Sequence, residues 1–235
     1  MIHYSLNCSE DVATPAAKPV AFIKVLLEGL FNSESEEMET TMNSTNLLPR
    51  SQPFSINPYN YSGTETLGTG LVDVVDWVFI QLRSIHNLAV VSYQKAALLR
   101  KDGLVVDIDG NETVDFGLVQ NDSFYIAVFH RSHLPVISRE PQFFQTFPTT
   151  CDFTISEFAA MGESQQKLIS NKFLLNSGDF DSNGIINNQD FNVWKTNSSA
   201  INVYLSADAD GNGIINNQDY NLWKANRSKV SVLVE

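Results

Sequence analysis

The 235-residue chain is long enough for one or two domains, and its 43% hydrophobic and 11% aromatic content is that of a globular protein. Its net charge of −12 argues against nucleic acids and anionic membranes as partners, because both require a basic surface. The sequence has no run of about 18 apolar residues and therefore predicts no membrane span.

The first 20 residues are predicted to be a polar lead-in segment. They lack the basic start and the apolar stretch of a signal peptide. We expect the chain to be a fragment, or the tail, of a longer secreted protein. Cys8 and Cys151 flank the first predicted domain, and in an oxidising compartment they could form a disulfide that ties its ends together. Two unpaired thiols are the alternative, since the sequence does not establish the distance between the cysteines.

Residues 21–156 are predicted to form a β-sandwich of the prealbumin or immunoglobulin type. Apolar or alternating runs are separated by turn residues, as is typical of sandwiches. The runs cover residues 21–31, 74–83, 88–100, 104–108, 123–130, 134–138 and 151–156. The pattern LLRKDGLVVDIDG…FGLVQNDSFYIAV also resembles a prealbumin-like sandwich repeat. We therefore expect a mostly β protein with a small α-helical module at its C-terminal end.

A long polar insertion interrupts the predicted strands at residues 32–70. Its many Pro, Gly, Ser and Asn residues indicate a loop, which we expect to cover a surface. Aromatic platforms for a glycan are an alternative use of this region, with Trp77, Tyr59 and Tyr61 as candidates. A position in the buried core is the expected place of Trp77.

The sequence offers no catalytic signature of the common kinds, such as G-x-S-x-G, a phosphate loop or HExxH. His130 and His133 form the one histidine cluster. They follow a strand pattern and are expected to point to opposite faces, which disfavours a shared metal. Asp73 and Asp76 are interpreted as polar residues at the start of a strand. We therefore expect no enzymatic activity.

Residues 157–175 are predicted to be a linker with a short helix, and residues 176–235 a second domain. The second domain contains a repeat. Residues 178–197 and 207–226 are offset by 29 positions, and 14 of the 20 aligned residues are identical. Each copy contains the pattern D-x-D-x-N-G-x5-D, which differs from the EF-hand calcium loop by its closing Asp in place of Glu.

This spacing predicts two calcium ions, because calcium prefers six to eight oxygen ligands supplied at loop positions 1, 3, 5, 7, 9 and 12. The predicted ligands of the first ion are Asp179, Asp181, Asn183, the carbonyl of Ile185, Asn187 and Asp190. Those of the second ion are Asp208, Asp210, Asn212, the carbonyl of Ile214, Asn216 and Asp219. A metal-free Asn/Asp-rich turn is the simpler alternative, but two intact copies disfavour it. Magnesium suits the pattern less well, because it demands stricter octahedral geometry.

Each loop is expected to lead into a short helix that begins with a capping arrangement closed by the position-12 aspartate. Phe191 and Trp194 then lie on one helical face. Ile186 and Ile215, at position 8 of their loops, are expected to pack against each other. A long amphipathic helix is not evident before either loop.

The duplicated motif resembles the type I dockerin family, on the segments GDFDSNGIINNQD and ADADGNGIINNQD and over residues 176–228. The resemblance implies a calcium-stabilised helical module that docks onto a cohesin. Family members dock through loop positions 10 and 11 and through basic helix residues. These positions correspond here to Asn188, Gln189, Asn217, Gln218, Lys195 and Lys224. A purely structural, calcium-clamped appendage remains the alternative.

The blocks KVLLEGLF, TTMNSTNLLPRSQPF, VVDWVFIQLR, AALLRKDGLVVDIDG and FYIAVFHRSHLPVIS resemble a C-terminal region of large secreted bacterial surface proteins, described as haemagglutinin-like or dockerin-like. This resemblance covers residues 22–228 and implies secretion, a location at the cell surface and no catalysis. We therefore expect a non-catalytic, calcium-stabilised C-terminal module that serves in anchoring, assembly or protein–protein docking. The alternatives are cohesin-type docking in an extracellular complex and glycan binding by an adhesin fragment. The expected partner is a cohesin-like receptor or another cell-surface component.

Overall fold

A computed structural model of the protein describes residues 19–117, 121–145 and 147–234. In chain order, the strands over these residues are β1 (Val20–Lys24), β2 (Phe31–Asn32), β3 (Glu37–Met38), β4 (Val74–Ser84), β5 (Val91–Arg100), β6 (Leu104–Val106), β7 (Val114–Asp115), β8 (Asp122–His130), β9 (His133–Ile137), β10 (Gln142–Phe144), β11 (Thr149–Asp152), β12 (Gln166–Ile169) and β13 (Lys172–Leu175). The helices are α1 (Thr41–Ser44), α2 (Asn188–Asn197) and α3 (Asn217–Asn226), with a 3-10 turn at Glu157–Ala159. The described part of the chain is mostly β with few helices, as predicted.

Nine of the described strands form one mixed sheet in the order β10-β8-β4-β5-β6-β1-β11, with β9 added on β8 and β7 on β1. Strands β1 and β11 run parallel, whereas β4 pairs antiparallel with both β5 and β8. Ten of the eleven residues of β4 are buried. Such a strand has a nearly continuous apolar sequence because both of its faces are covered.

The two faces of β4 lie in two hydrophobic clusters. Val78, Ile80 and Leu82 belong to one cluster, and Trp77 and Phe79 belong to the other. This division follows from the alternation of side chains along a strand. Residues of the 32–70 insertion cover the second cluster, and those buried in it are Met42, Leu48, Phe54, Tyr61 and Leu67.

Of the aromatic residues considered as glycan platforms, Trp77 and Tyr61 belong to the core and Tyr59 packs against it. Trp77 is fully buried, and its Nε1 donates a hydrogen bond to the carbonyl of Pro49 at 2.9 Å. Tyr61 is buried, and Tyr59 packs edge-on against Phe54 with ring centroids 5.1 Å apart. Trp77 and Tyr61 are therefore not available as glycan platforms, because both are buried, whereas Tyr59 is partly buried.

The segment 157–175 differs from the predicted linker with a short helix. After the 3-10 turn it forms the β12–β13 hairpin, whose two turn residues, Ser170 and Asn171, have φ of 48° and 61°. Two left-handed residues make the type of tight turn that matches the strand twist. Leu174 and Leu175 are fully buried in the cluster that also contains one face of β4. The hairpin therefore joins the core.

Cys151 lies in β11, and its burial raises the pKa of its thiol to about 12. The predicted disulfide also involves Cys8, which, like the lead-in residues 1–18, lies outside the described residues. The two longest helices in the described part of the chain have ten residues each, and none of its helices is long and apolar enough to cross a membrane.

Candidate metal centre

Two clusters of three carboxylates lie in the C-terminal part of the structure. One consists of Asp179, Asp181 and Asp190, and the other of Asp208, Asp210 and Asp219. Within each cluster, one oxygen of every carboxylate lies within 4.8 Å of the others. The first and last aspartate of each cluster are fully buried. The structure thus brings together the predicted ligands at loop positions 1, 3 and 12.

Backbone amides hold the carboxylates of the first loop in place. Asp179 Oδ2 accepts a hydrogen bond from the amide of Gly184 at 3.0 Å. Asp190 Oδ1 accepts from the amide of Phe180 at 2.7 Å, and its Oδ2 accepts from the amide of Asn187 at 2.8 Å. Gly184 has a φ of +81°, the left-handed conformation that glycine adopts without strain.

The second loop repeats this arrangement. Asp208 Oδ2 accepts from the amide of Gly213 at 3.1 Å. Asp219 Oδ1 accepts from the amide of Ala209 at 2.7 Å, and its Oδ2 accepts from the amide of Asn216 at 2.8 Å. The near-identical sequences of the two copies therefore give near-identical local hydrogen bonding.

The asparagines at position 9 start the two helices. Asn187 and Asn216 are the N-cap residues of α2 and α3, and each accepts a hydrogen bond from the backbone amide two residues later. Their side-chain amides also donate to the carbonyls of Ile185 and Ile214, at 3.3 and 3.4 Å. At position 5, Asn183 and Asn212 each accept a bond at 2.8 Å from the amide two residues later. The asparagines at positions 5 and 9 thus lie in the loops as predicted, and their side chains form hydrogen bonds with backbone groups of the same loop or of the helix that follows.

Two of the crowded carboxylates, those of Asp179 and Asp210, resist ionisation. Burial, followed by repulsion from Asp190, raises the pKa of Asp179 to about 8. Burial, followed by the charges of Asp219 and Asp208, raises the pKa of Asp210 to about 7. A cation among these groups would relieve the repulsion and favour the ionised forms. Since the donors are all oxygens, they suit a hard cation such as calcium or magnesium.

Aromatic side chains join the two loop–helix copies. The rings of Phe191 and Trp194 stack 5.7 Å apart, which confirms that they share one face of α2. Trp194 Nε1 donates to the carbonyl of Asn216 at 2.8 Å, and Trp223 Nε1 donates to that of Asn187 at 2.9 Å. Each helix therefore holds the loop of the other copy.

Ile186 and Ile215 are both fully buried in the same hydrophobic cluster. Their backbone hydrogen bonds, however, go to other segments. Ile186 exchanges backbone hydrogen bonds with residues 228 and 229, after α3, and Ile215 exchanges them with residues 199 and 200, after α2. Each loop is thus paired with the segment that follows the helix of the other copy.

The turn between β8 and β9 brings together His130 and His133, which were predicted from the sequence to lie on opposite faces. Arg131 and Ser132 form the turn, and His130 pairs with His133 across it. The two imidazole rings are 4.8 Å apart, with their Nδ1 atoms at 2.9 Å. The prediction of opposite faces is wrong, because a two-residue turn makes residues i and i+3 cross-strand neighbours.

A buried carboxylate of the sheet holds the start of the second loop. Asp76 accepts hydrogen bonds from Arg131 Nε at 3.0 Å and from the Tyr204 hydroxyl at 2.6 Å. Burial opposes its ionisation, but Arg131, His130 and Tyr204 outweigh this effect and lower the pKa of Asp76 below its usual range. The sheet and the second loop are therefore joined by buried, charge-assisted hydrogen bonds.

A second buried carboxylate, Glu28, holds the start of the first loop. Its side chain accepts from the amide of Ser177 at 3.1 Å and also from Lys167 and Asn226. Glu28 and Asp76 are each charged residues within an otherwise apolar run, KVLLEGLF and VVDWVFI. Since a buried charge needs a partner, this interruption was the available sequence signal.

Ser132, His130 and Asp76 have the spacing of a nucleophile, a base and an orienting acid. Ser132 Oγ lies 3.2 Å from His130 Nδ1, and His130 Nε2 lies 3.2 Å from Asp76 Oδ2. Catalysis also requires access for a substrate. All three residues are at most 1% exposed, so the cluster joins parts of the fold and offers no open site.

Comparison with known proteins gives only distant similarities. No family model matches the chain, and no curated protein matches it. Similar solved structures include a C-terminal and an N-terminal interface mutant of a type II cohesin–X–dockerin complex from Acetivibrio cellulolyticus. For each, the sequence identity is 13%, the TM-score is 0.40, and the alignment covers 70% of this chain and 90% of that chain. Similarity at this level assigns neither a family nor a function to the chain.

Proposed function

We propose that the C-terminal part of the protein binds two calcium ions, one in each loop, and forms a dockerin-like, calcium-stabilised helix pair. The observation that carries this proposal is the pair of carboxylate clusters, whose members are held by the same backbone amides in both copies. Calcium is favoured over magnesium because each loop offers several oxygen ligands and calcium accepts irregular coordination by six to eight oxygens. Magnesium requires a nearly ideal octahedron. The Asp side chains at position 12 can each provide one or two of these oxygens.

The module acts without catalysis in a secreted or cell-surface bacterial protein. The sheet, arranged as a sandwich of the prealbumin or immunoglobulin type, is the scaffold that carries it. Extracellular modules work with calcium affinities suited to millimolar concentrations, which fits such a location. Because ions that bind only the folded state stabilise it, calcium contributes directly to the folding of the loops.

Amide hydrogen exchange tests this proposal. Removal of calcium with EGTA should accelerate exchange in residues 176–228, because the three aspartates crowded in each loop then lack the cation that would hold them together. Strand β4, which lies in the middle of the sheet, is the internal reference and should be affected least. Unchanged exchange in residues 176–228 after chelation would refute calcium binding.

Docking to a protein partner is the function that this module best supports. The side chains at loop positions 10 and 11 and the helix lysines are all exposed, in both copies, and they are Asn188, Gln189, Asn217, Gln218, Lys195 and Lys224. A repeated, uncovered polar surface of this kind suits recognition of a cohesin-like receptor or another cell-surface protein.

A capture experiment with secreted proteins tests the docking surface. Lys195→Glu combined with Lys224→Glu should abolish capture of a partner that the wild-type protein retains in calcium. Lys172→Glu, at a lysine on strand β13, is the control and should leave capture intact. Equal capture by all three proteins would show that the lysines do not contribute to docking.

A further inference from the structure

The two loops differ in one respect that their sequences do not reveal. Arg131, from the β8–β9 turn, reaches the second loop, where its Nη1 donates to the carbonyls of Leu205 and of Asp208, the latter at 3.1 Å. Its Nη2 lies 3.8 Å from Asp208 Oδ2. Among the described residues, the ion pairs include none to the carboxylates of the first loop.

Arg131 is itself rigidly held. It is 7% exposed, its Nε is bonded to Asp76, and its guanidinium lies 4.4 Å over the ring of Tyr204. Tyr204 in turn donates to Asp76. A guanidinium presents five donors in one fixed plane, so it holds the backbone carbonyls and the carboxylate in a defined geometry, whereas the three donors of a lysine ammonium rotate about a single nitrogen.

The contacts of Arg131 leave Asp208 free to bind a metal. Arg131 approaches Oδ2, the oxygen that also accepts from the amide of Gly213, whereas Oδ1 accepts from the amide of Asn212 at 3.1 Å and faces away from this ion pair. Groups that orient a ligand from behind typically change metal affinity by about 10–100-fold when they are removed.

We propose that Arg131 is a positioning residue of the second calcium site, and that the first site has no equivalent. Resting on the proposed calcium binding, this inference makes the two sites unequal. Arg131 aligns Asp208 and fixes the preceding backbone to the sheet, so that the second loop is more ordered than the first in the metal-free protein.

Calorimetric calcium titrations of single-loop proteins test the inference. Asp181→Ala with Asp190→Asn leaves only the second loop able to bind, and Asp210→Ala with Asp219→Asn leaves only the first. Asparagine at position 12 keeps an oxygen for the helix cap. Arg131→Lys retains a positive charge beside Asp76 but loses the planar contacts to the loop.

Arg131→Lys should weaken calcium binding about tenfold or more in the protein with only the second loop, and less than about twofold in the protein with only the first. Arg139→Lys, at an arginine bonded to the carbonyl of Phe158, is the control and should change neither affinity. In EGTA, Arg131→Lys should also accelerate amide exchange in residues 204–213 but not in residues 176–184.

Three results would overturn the inference. Arg131→Lys could leave both calcium affinities unchanged or weaken both equally. It could also strengthen calcium binding by the second loop, which would show that repulsion between the Arg131 guanidinium and calcium dominates in the wild type. If Arg131→Lys does not fold, the double variant Asp76→Asn with Arg131→Met removes both buried charges together. It must then weaken calcium binding by the second loop and not by the first. Absence of calcium binding in both single-loop proteins with Arg131 intact would instead refute the proposed function.

Discussion

Leu134 connects the sheet to the hydrophobic cluster of the two loops. It lies in β9, is 2% exposed, and shares its cluster with Phe180, Ile186 and Trp223. Its amide also donates to the carbonyl of Asn176, just before the first loop, at 2.9 Å. The substitution Leu134→Ala therefore tests whether the loops and the sheet share one core.

The expected cost follows from this burial. Truncation of a buried leucine to alanine lowers the free energy of unfolding by about 2–5 kcal/mol, and more when the neighbours cannot collapse into the space. Since bulky aromatic side chains line this cluster, we expect a loss of about 3 kcal/mol. That loss corresponds to about 150-fold in the unfolding equilibrium. For a chain of this size it lowers the Tm by about 6–12 °C.

Urea denaturation in saturating calcium, followed by tryptophan fluorescence, measures this loss. Leu168→Ala is the matched control, because Leu168 is 58% exposed on β12, and it should change the free energy of unfolding by less than about 0.5 kcal/mol. If Leu134→Ala matches this control, and calcium raises its Tm as much as that of the wild type, the loops fold independently of the sheet and the shared core is refuted.

Four further predictions concern the loops and their attachment. Ser182→Gly should stabilise the protein by up to about 1 kcal/mol in a Tm measurement, because Ser182 has a φ of +58°. Gly211→Ala, at the same position of the second loop (φ +65°), should destabilise it by at least about 1 kcal/mol. In the metal-free protein, Asp179 has a folded-state pKa raised to about 8, so it retains its proton in the folded state and stability should fall as pH rises from about 4 to 8. Asp76→Asn should lower the free energy of unfolding by about 3–5 kcal/mol, because it leaves Arg131 buried without its carboxylate.

Each of these predictions has a contradicting result, which for Gly211→Ala is an unchanged or higher Tm. A lower Tm for Ser182→Gly would show that the serine side chain is needed in the loop. A Tm in EGTA that rises towards pH 8 would contradict the raised pKa of Asp179. Saturating calcium should abolish the fall in Tm, because the bound ion keeps Asp179 ionised. Asp122→Asn, at an exposed aspartate, is the control for Asp76→Asn, and equal stability of the two variants would contradict the buried ion pair.

Features encoded by neighbouring residues could be predicted from the sequence. The strands around β4, the grouping of the loop aspartates and the shared face of Phe191 and Trp194 all follow from short spacings. The β12–β13 hairpin was missed because Ser170 and Asn171 form its turn in place of the more familiar Asn-Gly pair.

Contacts between distant residues could not be predicted in the same way. Asp76 and Arg131 are 55 positions apart, and Glu28 and Asn226 are 198 positions apart. Asp76 and Glu28 each place a charge in an apolar run, which indicates that the charge needs a buried partner. The sequence does not show which residue that partner is. The burial of Trp77 was predicted, but the residues that cover it belong to the 32–70 insertion and could not be identified from the sequence.

Native mass spectrometry of the full chain tests the two calcium sites most directly. The wild-type protein should take up two calcium ions, and each single-loop protein one. A protein with all four substitutions, at Asp181, Asp190, Asp210 and Asp219, should take up none. A wild-type protein that remains free of calcium at millimolar concentrations, or a fourfold variant that still binds two ions, would contradict the assignment of the loops.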